Sequence, residues 1–298
     1  MDLKFLSNIS DNIIYNEEMK NHTTFRIGGA ADAFADVKDA EEIKSLISAC
    51  KENGVPYTIV GNGSNLLVSD KGIRGLVIHI GKNMSSCHAE GEKVYAYAGA
   101  LMSAVAAVCM ENALSGFEPM SGIPGTIGGG IFMNAGAYGG ELSQIIETVA
   151  YLDDSGNIVT KKCEELDLGY RHSMFHGKDY VILSCVLKLK KGNKEEIKAA
   201  MADYRSRRNE KQPVTMPSAG STFKRPEGYF AGKLIDDAGL RGFKIGGAMV
   251  SELHAGFVVN DGSATAEDVI NLIRHIQQTV KAQSGVDLEP EVRLIGER

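Results

Sequence analysis

The chain has 298 residues, 43% of them hydrophobic and 23% charged, with a net charge of −6. That length accommodates two or three domains, and the negative balance argues against nucleic acid as the main partner. Five scattered cysteines (Cys50, Cys87, Cys109, Cys163 and Cys185) show no C-x-x-C spacing and are odd in number, which excludes a disulfide framework and a zinc ribbon and points to a reducing compartment. The first twenty residues carry Asp2, Asp11, Glu17 and Glu18 where a signal peptide would be apolar. No apolar run reaches the roughly eighteen residues that cross a bilayer. A cytoplasmic protein without membrane association is expected.

Thr23 to Gly29 reads as an extended segment entering a turn. Asp39, with Glu42 three residues later, predicts a capped helix whose apolar positions are Ile43, Leu46, Ile47 and Cys50, stopped by Gly54. Tyr57 to Val60 is a strand, and Gly61-Asn62-Gly63-Ser64-Asn65 turns out of it into Leu66-Leu67-Val68. A glycine turn after a strand presents N–H groups to a phosphate, or is simply a turn. Strands are expected at Leu76 to Ile80 and Val94 to Ala98, then a helix from Leu101 to Asn112 with Met102, Val105 and Cys109 as its core stripe. Ser121 to Gly140 holds eight glycines and no charge. It fits neither the P-loop nor the G-x-G-x-x-G dinucleotide fingerprint, and reads as either a shaped diphosphate cradle or a packing loop.

Beyond it, Val149 to Asp153 and Ile158 to Thr160 form a hairpin, and Val181 to Leu189 alternates as a half-buried strand. Lys194 to Gln212 is a polar helix ended by Pro213, with Arg205, Arg207, Arg208 and Lys211 on a solvated face. A strand follows at Phe257 to Val259. Thr265, Glu267 and Asp268 open a long helix whose stripe is Val269, Leu272, Ile273, Ile276 and Val280. The seven histidines show no paired metal-ligand spacing, so no metal is expected.

Seven short motifs occur in order: Thr-Phe-Arg-Ile-Gly-Gly at 24–29, Gly-Asn-Gly-Ser-Asn at 61–65, Ile-Pro-Gly-Thr-Ile-Gly-Gly at 123–129, Asn-Ala-Gly-Ala-Tyr-Gly at 134–139, Tyr-Arg-x-Ser-x-Phe at 170–175, Ala-Gly-Ser-Thr-Phe-Lys at 219–224 and Glu-Pro-Glu-Val-Arg at 289–293. By these the chain resembles the UDP-N-acetylenolpyruvoylglucosamine reductase (MurB) family of bacterial cell-wall synthesis over nearly its whole length. The resemblance implies an α+β fold of the vanillyl-alcohol oxidase/PCMH type. Two α+β subdomains (1–80 and 81–200) would clasp non-covalent FAD, followed by a substrate domain (201–289) and a tail (290–298) returning to the active site. It also implies the reaction: NADPH reduces the flavin, and the flavin reduces the enolpyruvyl ether of UDP-N-acetylglucosamine to UDP-N-acetylmuramate. Small molecules are thus the expected partners, and a monomer is favoured.

By the same resemblance, Arg171 stabilises the enolate, Ser221 delivers the proton to carbon, and Glu291 polarises or orients the substrate carboxylate. The flavin would be held by Gly61, Asn62, Gly63, Ser64, Asn65, Gly122, Ile123, Pro124, Gly125, Thr126, Gly128, Gly129, Asn134 and Gly136, with Arg293 balancing charge on the reduced ring. Tyr170, Arg208, Lys224 and Arg225 are the expected substrate contacts. Lys190-Lys191-Gly192-Asn193-Lys194 leaves no room for the Tyr-bearing loop of some members, so the shorter subtype is expected. Two alternatives are an oxidase of the vanillyl-alcohol oxidase type and a UDP-sugar-binding protein without turnover.

Overall fold

The computed structural model describes residues 2–297. It divides into two compact units. The first comprises Phe34–Asn62 and Gly75–Arg207 with an N-terminal piece ending at Ile14; the second comprises Tyr15–Ala33, Gly63–Arg74 and the chain from Arg208 onward. Six helices are assigned among the described residues: α1 (Ala40–Glu52), α2 (Met102–Glu111), α3 (Ile127–Phe132), α4 (Lys194–Lys211), α5 (Ala231–Asp237) and α6 (Ala266–Ser284).

In the first unit, Asp39 caps α1 by accepting from the Glu42 N–H at 2.8 Å. Glu42 reaches back one residue beyond the expected box, accepting from the Lys38 N–H at 2.7 Å. Ile43, Leu46 and Cys50 are buried. Tyr57–Val60 pairs in parallel with Leu76 to His79. A five-stranded antiparallel sheet runs in the order Ile158–Lys162, Ile146–Leu152, Val181–Lys188, Lys93–Tyr97, Cys87–Glu90. Val181–Lys188 is more enclosed than a strictly alternating strand, since Ile182 is buried along with Val181 and Leu183. Burial pushes the thiols of Cys109 and Cys185 up to about 12, so both behave as small hydrophobes.

The glycine-rich stretch, read from sequence as a loop, contains α3. Glycine costs a helix about 1 kcal/mol per residue, and three occur here in succession. Close packing favours them: a Cβ on Gly128 would lie 2.8 Å from that of Ala98. Thr126 caps the helix, its hydroxyl accepting from the Gly129 N–H.

In the second unit, Ser218–Ser221, Phe257–Asn260, Ala248–Val250 and Lys244–Ile245 form an antiparallel sheet in that order. The α6 stripe (Val269, Leu272, Ile276 and Val280) is fully buried in a core that also takes Phe25, Ile27 and Leu67 from the first quarter of the chain. Thr265 caps α6 in a reciprocal box with Asp268. A second cap comes from far away in sequence: Asp70 accepts from the Ala266 N–H at 2.7 Å and the Glu267 N–H at 3.0 Å. No described helix is long and apolar enough to cross a membrane.

Asp70→Ala leaves both of those N–H groups without their carboxylate and should destabilise the protein by about 1–2 kcal/mol, read as a lower urea midpoint at unchanged slope. Two other aspartates set an acid limit. The Lys244 ammonium and Ser263 hold the Asp261 carboxyl down at about 2, and the Thr265 N–H, with Gly247, lowers Asp268. A carboxylate depressed in the fold adds stability that is full above its unfolded value of about 4 and is lost as pH falls toward the folded value. Urea midpoints should therefore drop between about pH 4 and pH 2, and less steeply in Asp261→Asn.

Candidate active site

In the first unit, the two glycine-rich segments meet. A Cβ on Gly61 would lie 2.5 Å from Thr126 Oγ1, so only glycine allows this approach. Asn62 Nδ2 donates to the Pro124 carbonyl at 2.8 Å. The Ile127 and Gly128 N–H groups donate to the Ala100 and Ala98 carbonyls at 2.7 and 2.9 Å, fixing the start of α3, and Ile123 N–H donates to the Met120 carbonyl. Gly122, Pro124 and Gly129 are exposed and Gly125 half-buried. Gly136 pairs with Glu141 in a short hairpin.

Arg171 stands at the tip of a tight turn. Gly169 and His172 exchange backbone hydrogen bonds at 3.1 and 3.2 Å, leaving Tyr170 and Arg171 projecting. Arg171 has φ +54°, uncommon for a residue with a side chain. Its guanidinium carbon lies 5.0 Å from the Tyr170 ring centroid. Asn134, fully buried, bonds Gly169 O and Ser143 N–H with its carboxamide.

The second unit gathers Asn65, Ser221, Lys224, Glu291 and Arg293. Ser221 ends its strand opposite Phe257, after a register shift, and is exposed. Thr24 Oγ1 donates to the Ser218 carbonyl at 2.7 Å, which gives the Thr-Phe-Arg-Ile-Gly-Gly motif a role in holding this strand. Next to Ser221, the buried Thr222 accepts from the Glu291 N–H at 2.8 Å through its carbonyl and from the Val258 N–H through Oγ1. Lys224 N–H bonds the Glu289 carbonyl at 2.8 Å, and Lys224 Nζ pairs with Glu289 Oε1 at 2.6 Å. Asn65 Nδ2 donates to the Glu291 carbonyl at 3.2 Å, and the Asn65 carbonyl accepts from the Arg293 N–H at 3.0 Å. Arg293–Ile295 then runs parallel to Leu66–Val68.

The Arg293 side chain reaches the surface, while protein atoms crowding its guanidinium lower its pKa by desolvation; an arginine stays charged at neutral pH regardless. Arg225 stacks over Phe230, 3.9 Å from its centroid, and donates to the Tyr229 carbonyl at 3.3 Å. Arg208 lies in the last turn of α4. Asn193 caps the start of α4, accepting from the Glu195 and Glu196 N–H groups, so helix follows directly on strand Lys190–Lys191.

Residues 212–295 match the C-terminal domain of UDP-N-acetylenolpyruvoylglucosamine reductase, and residues 31–161 match an FAD binding domain. The reductase of that name from Caldanaerobacter subterraneus is 50% identical over 283 residues, covering 95% of this chain and 93% of its own. The one from Agathobacter rectalis is 52% identical, with 96% and 94% covered. The chain belongs to the UDP-N-acetylenolpyruvoylglucosamine reductase family. The crystal structure of the Thermus caldophilus reductase superposes with a TM-score of 0.81 at 36% identity, covering 95% of this chain and 97% of that one. An alkyldihydroxyacetonephosphate synthase, at a TM-score of 0.50 and 15% identity, shares the fold over 64% of this chain and 41% of its own.

The reductase family uses FAD, and the turn at Gly61–Asn65 fits its diphosphate. The N–H groups of Asn62, Gly63, Ser64 and Asn65 find no protein acceptor among the described residues. Such a run of unspent donors suits an anion. A Cβ on Gly63 would overlap the His22 carbonyl. Motif reading flagged Asn65, but not that its carboxamide holds the Glu291 segment, a bond between residues far apart in sequence. Gly63→Ala would meet that overlap at φ +62°. FAD affinity should fall about tenfold or more from the strain alone, read as the ratio of flavin to protein absorbance after purification.

Proposed function

We propose that this family member reduces UDP-N-acetylglucosamine enolpyruvate to UDP-N-acetylmuramate with NADPH. Bound FAD, reduced by NADPH, supplies a hydride for the β-carbon of the enolpyruvyl group. Negative charge then builds on the α-carbon and spreads into the carboxylate. Arg171 meets that charge with a planar fork of donors that matches a carboxylate bidentately. Ser221 transfers the proton of its Oγ to the α-carbon. Its hydroxyl is a weak acid, driven here by the strong basicity of the enolate, and at an exposed position water restores the proton. Glu291 orients the carboxylate. Lys224, Arg225 and Arg208 contribute positive charge for the UDP diphosphate, and Tyr170 is a further substrate contact. Five free cysteines support a cytoplasmic setting.

The observation that carries this reading is the bond from Glu291 N–H to the Thr222 carbonyl. It seats a carboxyl-bearing residue beside the strand end that presents Ser221, though the two lie seventy positions apart in sequence. Ser221→Ala should leave flavin bleaching by NADPH within about twofold of wild type and slow flavin reoxidation by the enolpyruvyl sugar by about 10²-fold or more. Stopped-flow absorbance separates the two steps; equal slowing of both would remove Ser221 from the proton transfer.

A further inference from the structure

Asn134 sits in the loop after α3 at φ +42°, wholly buried. Its Nδ2 donates to the Gly169 carbonyl at 3.0 Å, and its Oδ1 accepts from the Ser143 N–H at 3.0 Å. Both ends of the carboxamide are therefore bonded to backbone, at a depth no ligand reaches. Gly169 is the foot of the turn that carries Arg171. The other foot is tied as well: Ser173, also fully buried, donates its hydroxyl to the Phe132 carbonyl at 2.7 Å. Phe132 is the last residue of α3. The end of one helix thus grips the turn on both sides of Arg171. Arg171 itself occupies a left-handed backbone conformation, which an L-residue does not favour unaided.

We propose that Asn134 serves Arg171 rather than the flavin. It is a positioning residue that fixes the guanidinium by holding the Gly169 carbonyl. The proposal rests on the reading of Arg171 given above. A carboxamide is the group this place requires, because it must donate toward a carbonyl and accept from an N–H at once. An aspartate keeps the acceptor, loses the donor and faces the Gly169 carbonyl with like charge.

The test uses the FAD-loaded Asn134→Asp enzyme. We expect bound flavin content, its absorbance spectrum and its reduction by NADPH to stay within about twofold of wild type. Reoxidation by the enolpyruvyl sugar should slow by about 10²-fold, the cost of a misplaced catalytic group. Arg171→Ala combined with Asn134→Asp should be no slower than Arg171→Ala alone, because a residue acting only through Arg171 has nothing further to lose. Loss of flavin, equal slowing of both half-reactions, or a double variant slower than Arg171→Ala would overturn the proposal. Arg171→Ala slow with Asn134→Asp at wild-type speed would overturn the positioning role alone, whereas Arg171→Ala at wild-type speed would overturn the reading of Arg171 and the proposal with it. If Asn134→Asp does not fold, Ser173→Ala carries the same expectation from the other foot of the turn, and a wild-type sugar step there counts against it.

Discussion

Thr222 is hydrogen-bonded in several directions from the interior of the second unit. Its N–H donates to the Gly256 carbonyl, its carbonyl takes the Glu291 N–H, and its hydroxyl takes the Val258 N–H. These bonds lock the end of the Ser221 strand to its neighbour and to the C-terminal tail together. A buried polar residue leaves few such groups unmatched, so the arrangement cannot slip by one position without stranding several donors. Ser221 and Glu291 inherit their placement from it. Glu291 is held through its backbone, by its N–H to Thr222 and its carbonyl to Asn65.

The first unit solves a related problem with different means. Its glycine-rich segment carries no charge between Ser121 and Gly140, so its shape comes from backbone approach and from small side chains. Gly61 touches Thr126, Gly128 touches Ala98, and Thr126 caps the short helix between them. An anion held by such a surface is met by N–H dipoles already in position. Arg171 stands on a turn anchored to the same helix.

The sequence disclosed α1 and α6 because each combines a cap with an apolar stripe at helical spacing, and α2 by its stripe alone; apart from the half-buried Ile47, those stripes are buried. It hid α3, since glycine is penalised in every local scale and the compensation lies in contacts with residues 98 and 142. Strand Ser218–Ser221 was equally hidden; Ser-Ala-Gly-Ser has no strand propensity, and its partner is some forty residues downstream. Site residues were legible as motifs, family likeness supplying the roles that residue chemistry alone left open. Illegible were the supports. Asn65 and Asn134 were expected only as flavin contacts, and it is the fold that shows which distant carbonyl each one holds.

The second unit is assembled from three stretches, and its core draws Phe25, Ile27 and Leu67 together with residues up to Val292. Glu297 adds a bond from its N–H to the Gly72 carbonyl. During synthesis the early stretches leave the ribosome long before their partners exist. Pairing across more than two hundred residues carries a high loop-closure cost and slows folding. The apolar side chains near the N-terminus therefore wait uncovered until translation is nearly finished, and a nascent chain stalled anywhere before the tail presents a half-built core to whatever holdase is at hand.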